Sequence, residues 1–179
     1  MAAFRLPRRV SRAIVVFLAT TIIVALYIRT ANRGDGDVFK PDYELPDFDK
    51  VIEQLDNSNP LSLQAVDEIR TLLTRSPVVI FSKTYCPHSR FIKSLLRDSY
   101  SISPSPLVRE LDLDASGPYI QAALKVISGR RTVPNVFVGG KSLGGGDEMR
   151  LLHAQDQLAQ EFAKNAGRRF DISRKNVDS

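Results

Sequence analysis

Residues 78–91 have the sequence Val-Val-Ile-Phe-Ser-Lys-Thr-Tyr-Cys-Pro-His-Ser-Arg-Phe, and the rest of the chain can be interpreted around them. The first four residues are apolar, which predicts a short strand that is buried on both faces. A polar turn follows, and Cys86, the only cysteine among 179 residues, comes immediately before a helical pattern. Pro87 stands at the expected first position of that helix, where its missing N–H is harmless.

A cysteine at the start of a helix has a distinctive electrostatic environment. The first backbone N–H groups of a helix lack partners within the helix and form the positive end of its dipole. Both features stabilise a thiolate over a thiol, and Lys83 adds a nearby positive charge. A lone cysteine is more often buried and inert. This placement nevertheless predicts that Cys86 is a nucleophile.

Helical and strand patterns alternate along the chain on both sides of this stretch. Apolar spacing predicts helices from about residue 59, after Cys86, from Gly117 and after Gly146. Further strands are predicted at residues 107–113, 132–138 and 141–143, and residues 101–106 are predicted to form a loop. The predicted order is helix, strand, helix, strand, helix, strand, strand, helix.

Three motifs in this order resemble those of the glutaredoxins. They are Lys83-Thr-Tyr-Cys-Pro-His-Ser89, Thr132-Val133-Pro134 and Gly144-Gly145-Gly146-Asp147, and the resemblance covers residues 59 to about 164. Ser89 stands where dithiol members of the family have a second cysteine, so the resemblance is to the monothiol type. It implies a thioredoxin-like α/β fold with a four-stranded mixed sheet and helices on both faces.

The resemblance also implies a reaction with glutathione. The Cys86 thiolate would attack the glutathionyl sulfur of a mixed disulfide, and free glutathione would then resolve the glutathionylated Cys86. This exchange needs a thiolate and an accessible sulfur, and it needs no metal. With Ser89 in place of a second thiol, Cys86 cannot close an intramolecular disulfide. The implied partners are glutathione and glutathionylated proteins or small disulfides.

The first motif and its surroundings are expected to hold part of the glutathione. Lys83 is expected to pair with the glycyl carboxylate, with assistance from Arg131, and Tyr85 to form an apolar wall beside the thiol. Ser89 is also expected to belong to the glutathione-binding residues. The alternative for both Lys83 and Arg131 is a solvated surface position.

The second motif, Thr132-Val133-Pro134, is expected to present its backbone to glutathione. A proline that starts a strand beside an active site is often cis. A cis Pro134 would turn the Val133 backbone towards the cysteinyl unit for strand-like pairing. The alternative is an ordinary proline on an edge strand.

The third motif is expected to hold the γ-glutamyl end. Gly145 and Gly146 would let the backbone approach a ligand, and the helix that follows would offer N–H groups to a carboxylate. Asp147 would accept from the ammonium group or only cap the helix, and Glu148 could share that role. His88 replaces the aromatic residue that the family commonly has, so it is either a pH-sensitive neighbour of the thiolate or a bystander.

The N-terminal region predicts a membrane anchor. Residues 13–28 form an uncharged apolar run of 16 residues, near the short end of what spans a bilayer. Four arginines precede the run and two follow it before residue 34, with no acidic residue among them. The positive-inside rule then places the N-terminus in the cytosol and the remaining chain in the lumen. A cleaved signal peptide and an organellar transit peptide are the alternatives.

The chain is therefore predicted to have five segments. They are a cytosolic basic tail (1–12), a transmembrane signal anchor (13–28), a linker with a short helix at 47–55 (29–58), a glutaredoxin domain (59–166) and a flexible basic tail (167–179). The short helix would pack on the domain or on a partner. The formal net charge of +5 is concentrated in residues 1–33, so the remaining chain gives no support for nucleic-acid binding. The basic tail could instead dock on an anionic surface.

This layout resembles the membrane-anchored monothiol glutaredoxins of fungi. It implies a single-pass type II membrane protein of the Golgi or endoplasmic reticulum with a lumenal catalytic domain. Two other functions stay open. One is a [2Fe–2S] cluster held between two protomers by Cys86 of each and two glutathiones, which the stiffening by Pro87 would oppose. The other is a redox sensor with little turnover, which a weak thiolate at Cys86 would favour.

Overall fold

The structure, a computed structural model, describes residues 41–55 and 58–175. In chain order these residues form α1 (Phe48–Gln54), α2 (Pro60–Arg75), β1 (Val78–Ser82), α3 (Pro87–Ser99), β2 (Tyr100–Ser103), β3 (Leu107–Glu110), α4 (Gly117–Ser128), β4 (Asn135–Val138), β5 (Lys141–Gly144), α5 (Gly146–Ala154), α6 (Leu158–Asn165) and β6 (Asp171–Arg174). Among these residues no helix is long and apolar enough to cross a membrane. The predicted basic tail and anchor of residues 1–28 lie outside the described residues.

The central sheet has four strands in the order β3–β1–β4–β5. Strand β1 pairs in parallel with β3 and antiparallel with β4, and β4 pairs antiparallel with β5. Every residue of β1 is buried, as expected for a central strand that is covered on both faces. The four-stranded mixed sheet is therefore confirmed.

Side chains of β1 alternate between two cores. Val79 and Phe81 pack with residues of α1, α2 and α4 on one face of the sheet. Val78 and Ile80 pack with residues of α3, α5 and α6 on the other. This alternation is the ordinary two-residue period of a strand, and it places helices on both faces of the sheet as the resemblance implied.

The short helix predicted at residues 47–55 is confirmed as α1. Its N-cap is Asp47, whose side chain accepts from the backbone N–H of Lys50. Phe48 and Val51 are buried in the core that α2 and α4 also contribute to. Of the two predicted alternatives, the structure therefore shows the helix packed on the domain, where it covers an edge of the core.

A second, two-stranded sheet differs from the sequence expectation. Strands β2 and β6 pair antiparallel, with Ile102 opposite Ile172. The loop predicted at residues 101–106 and the flexible tail predicted from residue 167 are therefore strands at residues 100–103 and 171–174. Each strand is short and mostly polar, so its local pattern is weak. It becomes ordered because the two isoleucines pack against the core beside α3.

Three boundaries also differ from the predicted ones. The helix predicted after Gly146 is two helices, because the chain turns at Asp156 with a positive φ of 58°. Strand β3 ends at Glu110, earlier than predicted, and β4 begins at Asn135, later than predicted. Residues 111–113 and 132–134 are consequently loops, and both lie at the end of the sheet from which Cys86 follows β1.

Candidate active site

Cys86 is the N-cap residue of α3, with extended backbone angles of φ −73° and ψ 120°. Its N–H donates to the carbonyl of Lys83 at 3.1 Å, and its carbonyl accepts from the N–H of Arg90 at 3.0 Å. These two bonds close the turn before the helix and start the helix itself. The thiol is partly exposed, so another molecule can reach it.

The pKa of the Cys86 thiol lies below its ordinary value. Burial opposes the thiolate, but hydrogen bonds from the Ser89 hydroxyl and from the N–H groups of Ser89 and His88 outweigh it. The positive charge of Arg90 lowers the pKa further. Lys83 was expected to supply the nearby charge, whereas in the structure Arg90 does so.

Ser89 stands where a second thiol would be, and it is completely buried. Its hydroxyl oxygen accepts from the N–H of Lys83 at 3.4 Å, and its hydroxyl group hydrogen-bonds to Cys86. Ser89 therefore links the turn to the helix and supports the thiolate through its hydroxyl group.

The turn before Cys86 is anchored by Asp112, which the sequence analysis did not single out. The Thr84 N–H donates to one carboxylate oxygen at 2.9 Å, and the Thr84 hydroxyl donates to the other. The pKa of Asp112 is lowered chiefly by the Thr84 hydroxyl, with a smaller contribution from the charge of Lys83. Tyr85 is left 64% exposed beside the thiol, where it can form the predicted wall.

The second motif lies against the thiol. The Val133–Pro134 peptide bond is cis, the first of the two alternatives given for this proline. The Cys86 sulfur lies 3.7 Å from the carbonyl oxygen of Val133, to which the thiol donates. Pro134 is buried and Val133 half-buried, whereas Thr132 is exposed. The backbone of this motif therefore borders the reactive sulfur.

The third motif joins the other two through close backbone contacts. A Cβ at Gly145 would lie 2.8 Å from the carbonyl oxygen of Pro134, a distance that real Cβ atoms do not adopt. A Cβ at Gly146 would lie 3.2 Å from Nδ1 of His88. Glycine is needed at residue 145 because the two loops touch there. All three motifs thus meet at one end of the sheet.

The structure separates the roles of the two neighbouring carboxylates. Glu148 accepts from the Gly145 N–H at 2.8 Å and forms an ion pair with Arg130. It therefore holds the start of α5 through the N–H of the N-cap residue, which is the half of a capping box that a glycine N-cap allows. The Asp147 side chain is 87% exposed, and its contact with Arg150 is long at 3.5 Å. Asp147, not Glu148, is the carboxylate available to a ligand ammonium group.

Two cations, one in the turn before Cys86 and one in the loop before Pro134, are available to an anion. Within residues 41–55 and 58–175, neither Lys83 nor Arg131 forms an ion pair. The carbonyl of Arg131 accepts from the side-chain amide of Gln121, which ties α4 to the loop before Pro134. Gln121 and Arg130 were not predicted, since each acts through a contact between separate elements.

Comparisons with known proteins find relatives among the glutaredoxins, and the family model includes the first two of the three motifs. The family model of glutaredoxin matches residues 78–143. Monothiol glutaredoxin-7 of Saccharomyces cerevisiae is 41% identical over 125 residues, which cover 69% of this chain and 62% of the yeast protein. The glutaredoxin of Ricinus communis is 44% identical over 94 residues, which cover 52% of this chain and 89% of that protein. The chain thus spans less than two thirds of the yeast protein's length.

A solved structure shows the same fold. The crystal structure of the buckwheat glutaredoxin–glutathione complex superposes with a TM-score of 0.52 at 35% identity. The match covers 58% of this chain and 92% of the buckwheat chain. The shared part is thus nearly the whole of the buckwheat protein.

Proposed function

The chain belongs to the glutaredoxin family, and we propose that it removes glutathione from mixed disulfides by a monothiol mechanism through Cys86. The position of the Cys86 thiol carries this proposal. The sulfur is accessible, its pKa is lowered by hydrogen bonds at the start of α3, and it lies 3.7 Å from the Val133 carbonyl. No second cysteine exists in the chain, so the resolving thiol comes from another molecule.

The residues around the thiol fit the chemical groups of glutathione. Lys83 and Arg131 offer positive charge to the glycyl carboxylate. The backbone of Val133, a half-buried residue, offers pairing to the cysteinyl unit, in the way an added strand pairs with a sheet edge. The start of α5 at Gly146 offers N–H groups to the γ-glutamyl carboxylate, and the exposed Asp147 carboxylate matches the ammonium group.

The reaction consists of two thiol–disulfide exchanges. In the first, the Cys86 thiolate attacks the glutathionyl sulfur, a Cys86–glutathione disulfide forms, and the substrate sulfur leaves and takes a proton from solvent. In the second, a glutathione thiolate attacks the glutathionyl sulfur on Cys86. Oxidised glutathione forms, and the Cys86 thiolate is regenerated. The lowered pKa of Cys86 supports both steps, because it favours the thiolate as nucleophile and as leaving group.

The sensor alternative requires that Cys86 has little thiolate character. The hydrogen bonds to Cys86 instead lower its pKa and favour the thiolate. The cluster alternative requires a second copy of the chain. The chain has one cysteine, so one copy offers the Cys86 thiolate as its sulfur ligand. Four sulfur ligands would then need two copies and two external thiols.

Turnover of a small glutathione mixed disulfide with reduced glutathione tests the proposal, with the full chain compared with Cys86→Ser. We expect turnover with the full chain and none with the variant. Well-folded protein without turnover would refute the enzyme, and absorption of visible light after anaerobic purification would then favour the cluster.

We also propose that the protein is a single-pass type II membrane protein of the Golgi or endoplasmic reticulum. The apolar run at residues 13–28 and the arginines on both sides of it support this topology. Microsomes that contain the full chain should retain it in the membrane pellet after alkaline extraction. Their lumen should protect residues 41–179 from added protease. A shortened, extractable chain would indicate a cleaved signal peptide instead.

A further inference from the structure

A shallow hollow of about 520 Å³ adjoins the residues that surround Cys86. It is lined by Pro118, Gln121, Ala122, Lys125, Arg131 and Thr132. Arg131 and Thr132 also border the proposed glutathione site, so the hollow continues that site towards α4. Its lining includes two cations. Arg131 has a role in the reaction above, and Lys125 has none.

The contact between α4 and the loop before Pro134 places Lys125. The Gln121 side chain donates to the carbonyl of Arg131. Lys125 follows Gln121 by four residues on α4, so it lies on the same face of the helix one turn further along. Lys125 and Arg131 therefore face one hollow from two separate elements.

The positive charge of this hollow is not neutralised locally. Lys125 and Arg131 are both exposed, and neither forms an ion pair within the described part of the chain. No acidic residue is among those that line the hollow, and the carboxylates of the loop that leads into α4 are held elsewhere. Asp112 accepts hydrogen bonds from Thr84, and Asp114 pairs with Arg109. The hollow therefore attracts anions.

Glutathione brings one carboxylate to this side of the site, and Lys83 and Arg131 suffice for it. We propose that Lys125 is a specificity-determining residue that receives an acidic side chain of the glutathionylated substrate protein. The protein then prefers mixed disulfides whose cysteine has an aspartate or glutamate beside it. This inference rests on the proposed function and adds a substrate class to it.

Two peptides test the inference with the full chain. Each is glutathionylated at a central cysteine, and they differ only in having aspartate or asparagine at the flanking positions. We expect kcat/KM to be about two- to fivefold higher for the aspartate peptide at low salt, the size expected for one exposed ion pair. Salt should reduce this ratio.

The ratio of kcat/KM for the two peptides should follow the charge of the side chain at residue 125. Lys125→Ala should bring it close to one, Lys125→Arg should keep it, and Lys125→Glu should reverse it. Lys141→Ala is the matched control, because Lys141 is exposed and pairs with Val138 at the opposite end of the sheet from Cys86. A purely structural role of Lys125 in the last turn of α4 would leave the ratio unchanged.

The outcomes separate this inference from the proposed function. Turnover of both peptides with a ratio that Lys125→Ala leaves unchanged would overturn the inference and keep the proposed function. An equal loss for both peptides would also overturn it, because Lys125 would then serve glutathione alone. No turnover of either peptide by the unaltered chain would overturn the proposed function and this inference together.

Discussion

The imidazole of His88 lies against the backbone of Gly146, where an added Cβ would be 3.2 Å from Nδ1. The contact joins the start of α3, which carries Cys86, to the start of α5, which faces the proposed γ-glutamyl end of glutathione. His88 also contributes its N–H to the hydrogen bonds that lower the pKa of Cys86. The position of this residue therefore affects both the thiolate and the width of the site.

Gly146→Ala should weaken glutathione binding. The added methyl group would push the His88 ring by a few tenths of an ångström and separate the two helix starts. We expect KM for glutathione to rise about three- to tenfold, which corresponds to roughly 0.7–1.4 kcal/mol. Removal of the ring in His88→Ala should restore part of the loss in the double variant, because Nδ1 and Cγ are gone while the Cβ of residue 88 stays 3.3 Å from the added methyl group. Equal KM values in Gly146→Ala and the double variant would contradict this coupling.

Ser89→Ala should raise the pKa of Cys86, because the thiolate loses the hydroxyl that hydrogen-bonds to it. The rate of alkylation by iodoacetamide against pH reports this pKa, and its midpoint should move to higher pH. Arg90→Ala should move it in the same direction by less, and salt should reduce that effect because Arg90 is exposed. Arg97→Ala, which alters an exposed cation at the other end of α3, is the control and should leave the midpoint unchanged. An unshifted midpoint in Ser89→Ala would show that the hydroxyl does not support the thiolate.

The lowered pKa of Cys86 also makes stability depend on pH. Between the folded pKa and the higher ordinary pKa, the native state has released a proton that the unfolded state still holds. The free energy of unfolding should therefore rise with pH through this window and keep the gain above it. Cys86→Ser should lack this rise, and urea titrations at several pH values measure the difference. Parallel pH profiles for the two proteins would contradict the lowered pKa.

Ser89→Cys should convert the monothiol site into a dithiol site. The Ser89 hydroxyl already hydrogen-bonds to Cys86, so a thiol at that position would be close to its sulfur. After reaction with oxidised glutathione, the unaltered chain should gain one glutathione by mass. The variant should instead lose two hydrogens as the new thiol displaces glutathione from Cys86. Stable glutathionylation of the variant would show that the buried position cannot reach the disulfide geometry.

Glu148→Ala should lower stability, whereas Asp147→Asn should weaken glutathione binding. Glu148 holds the Gly145 N–H and Arg130, so removal of its carboxylate should cost about 1 kcal/mol and lower Tm by about 2–4 °C. Asp147 is exposed, so Asp147→Asn should leave Tm unchanged and raise KM for glutathione. Thermal unfolding and steady-state kinetics of both variants check the assignment. A fall in Tm for Asp147→Asn alone would reverse the two roles.

The sequence predicted the parts of the site that lie within short motifs. The strand, turn and helix around Cys86 have strong local patterns, and the resemblance supplied the roles of Val133, Gly145 and Gly146. Asp112 was not predicted, because it binds Thr84 from 28 residues away along the chain. Arg130 reaches Glu148 from the loop after α4 in the same way. Such contacts form between the ends of neighbouring elements, so no local pattern reports them. One signal was available for Asp112. It closely follows a strand that is parallel to β1, so it lies at the same end of the sheet as Cys86, where both strands have their carboxyl ends.

Strands β1 and β4 were predictable because their residues are mostly apolar. Strand β3 lies in an alternating apolar and polar pattern, and β5 follows β4 after the Gly139-Gly140 turn. The sheet of β2 and β6 has neither signal. Its strands have four residues each, and only Tyr100, Ile102 and Ile172 pack against the core. Their pairing joins segments about 70 residues apart, so it depends on the folded core rather than on local sequence.

Ile172→Ala tests whether this second sheet is part of the stable core. Ile172 is half-buried against the core beside α3, so we expect a loss of about 1–2 kcal/mol, below the range for fully buried isoleucine. Ser173→Ala, exposed on the same strand, is the matched control and should change stability by less than about 0.5 kcal/mol. The kcat/KM for a small mixed disulfide should be unchanged in both variants, because no residue of β6 contributes to the described site. Equal stability of the two variants would show that residues 171–174 behave as the flexible tail that the sequence suggested.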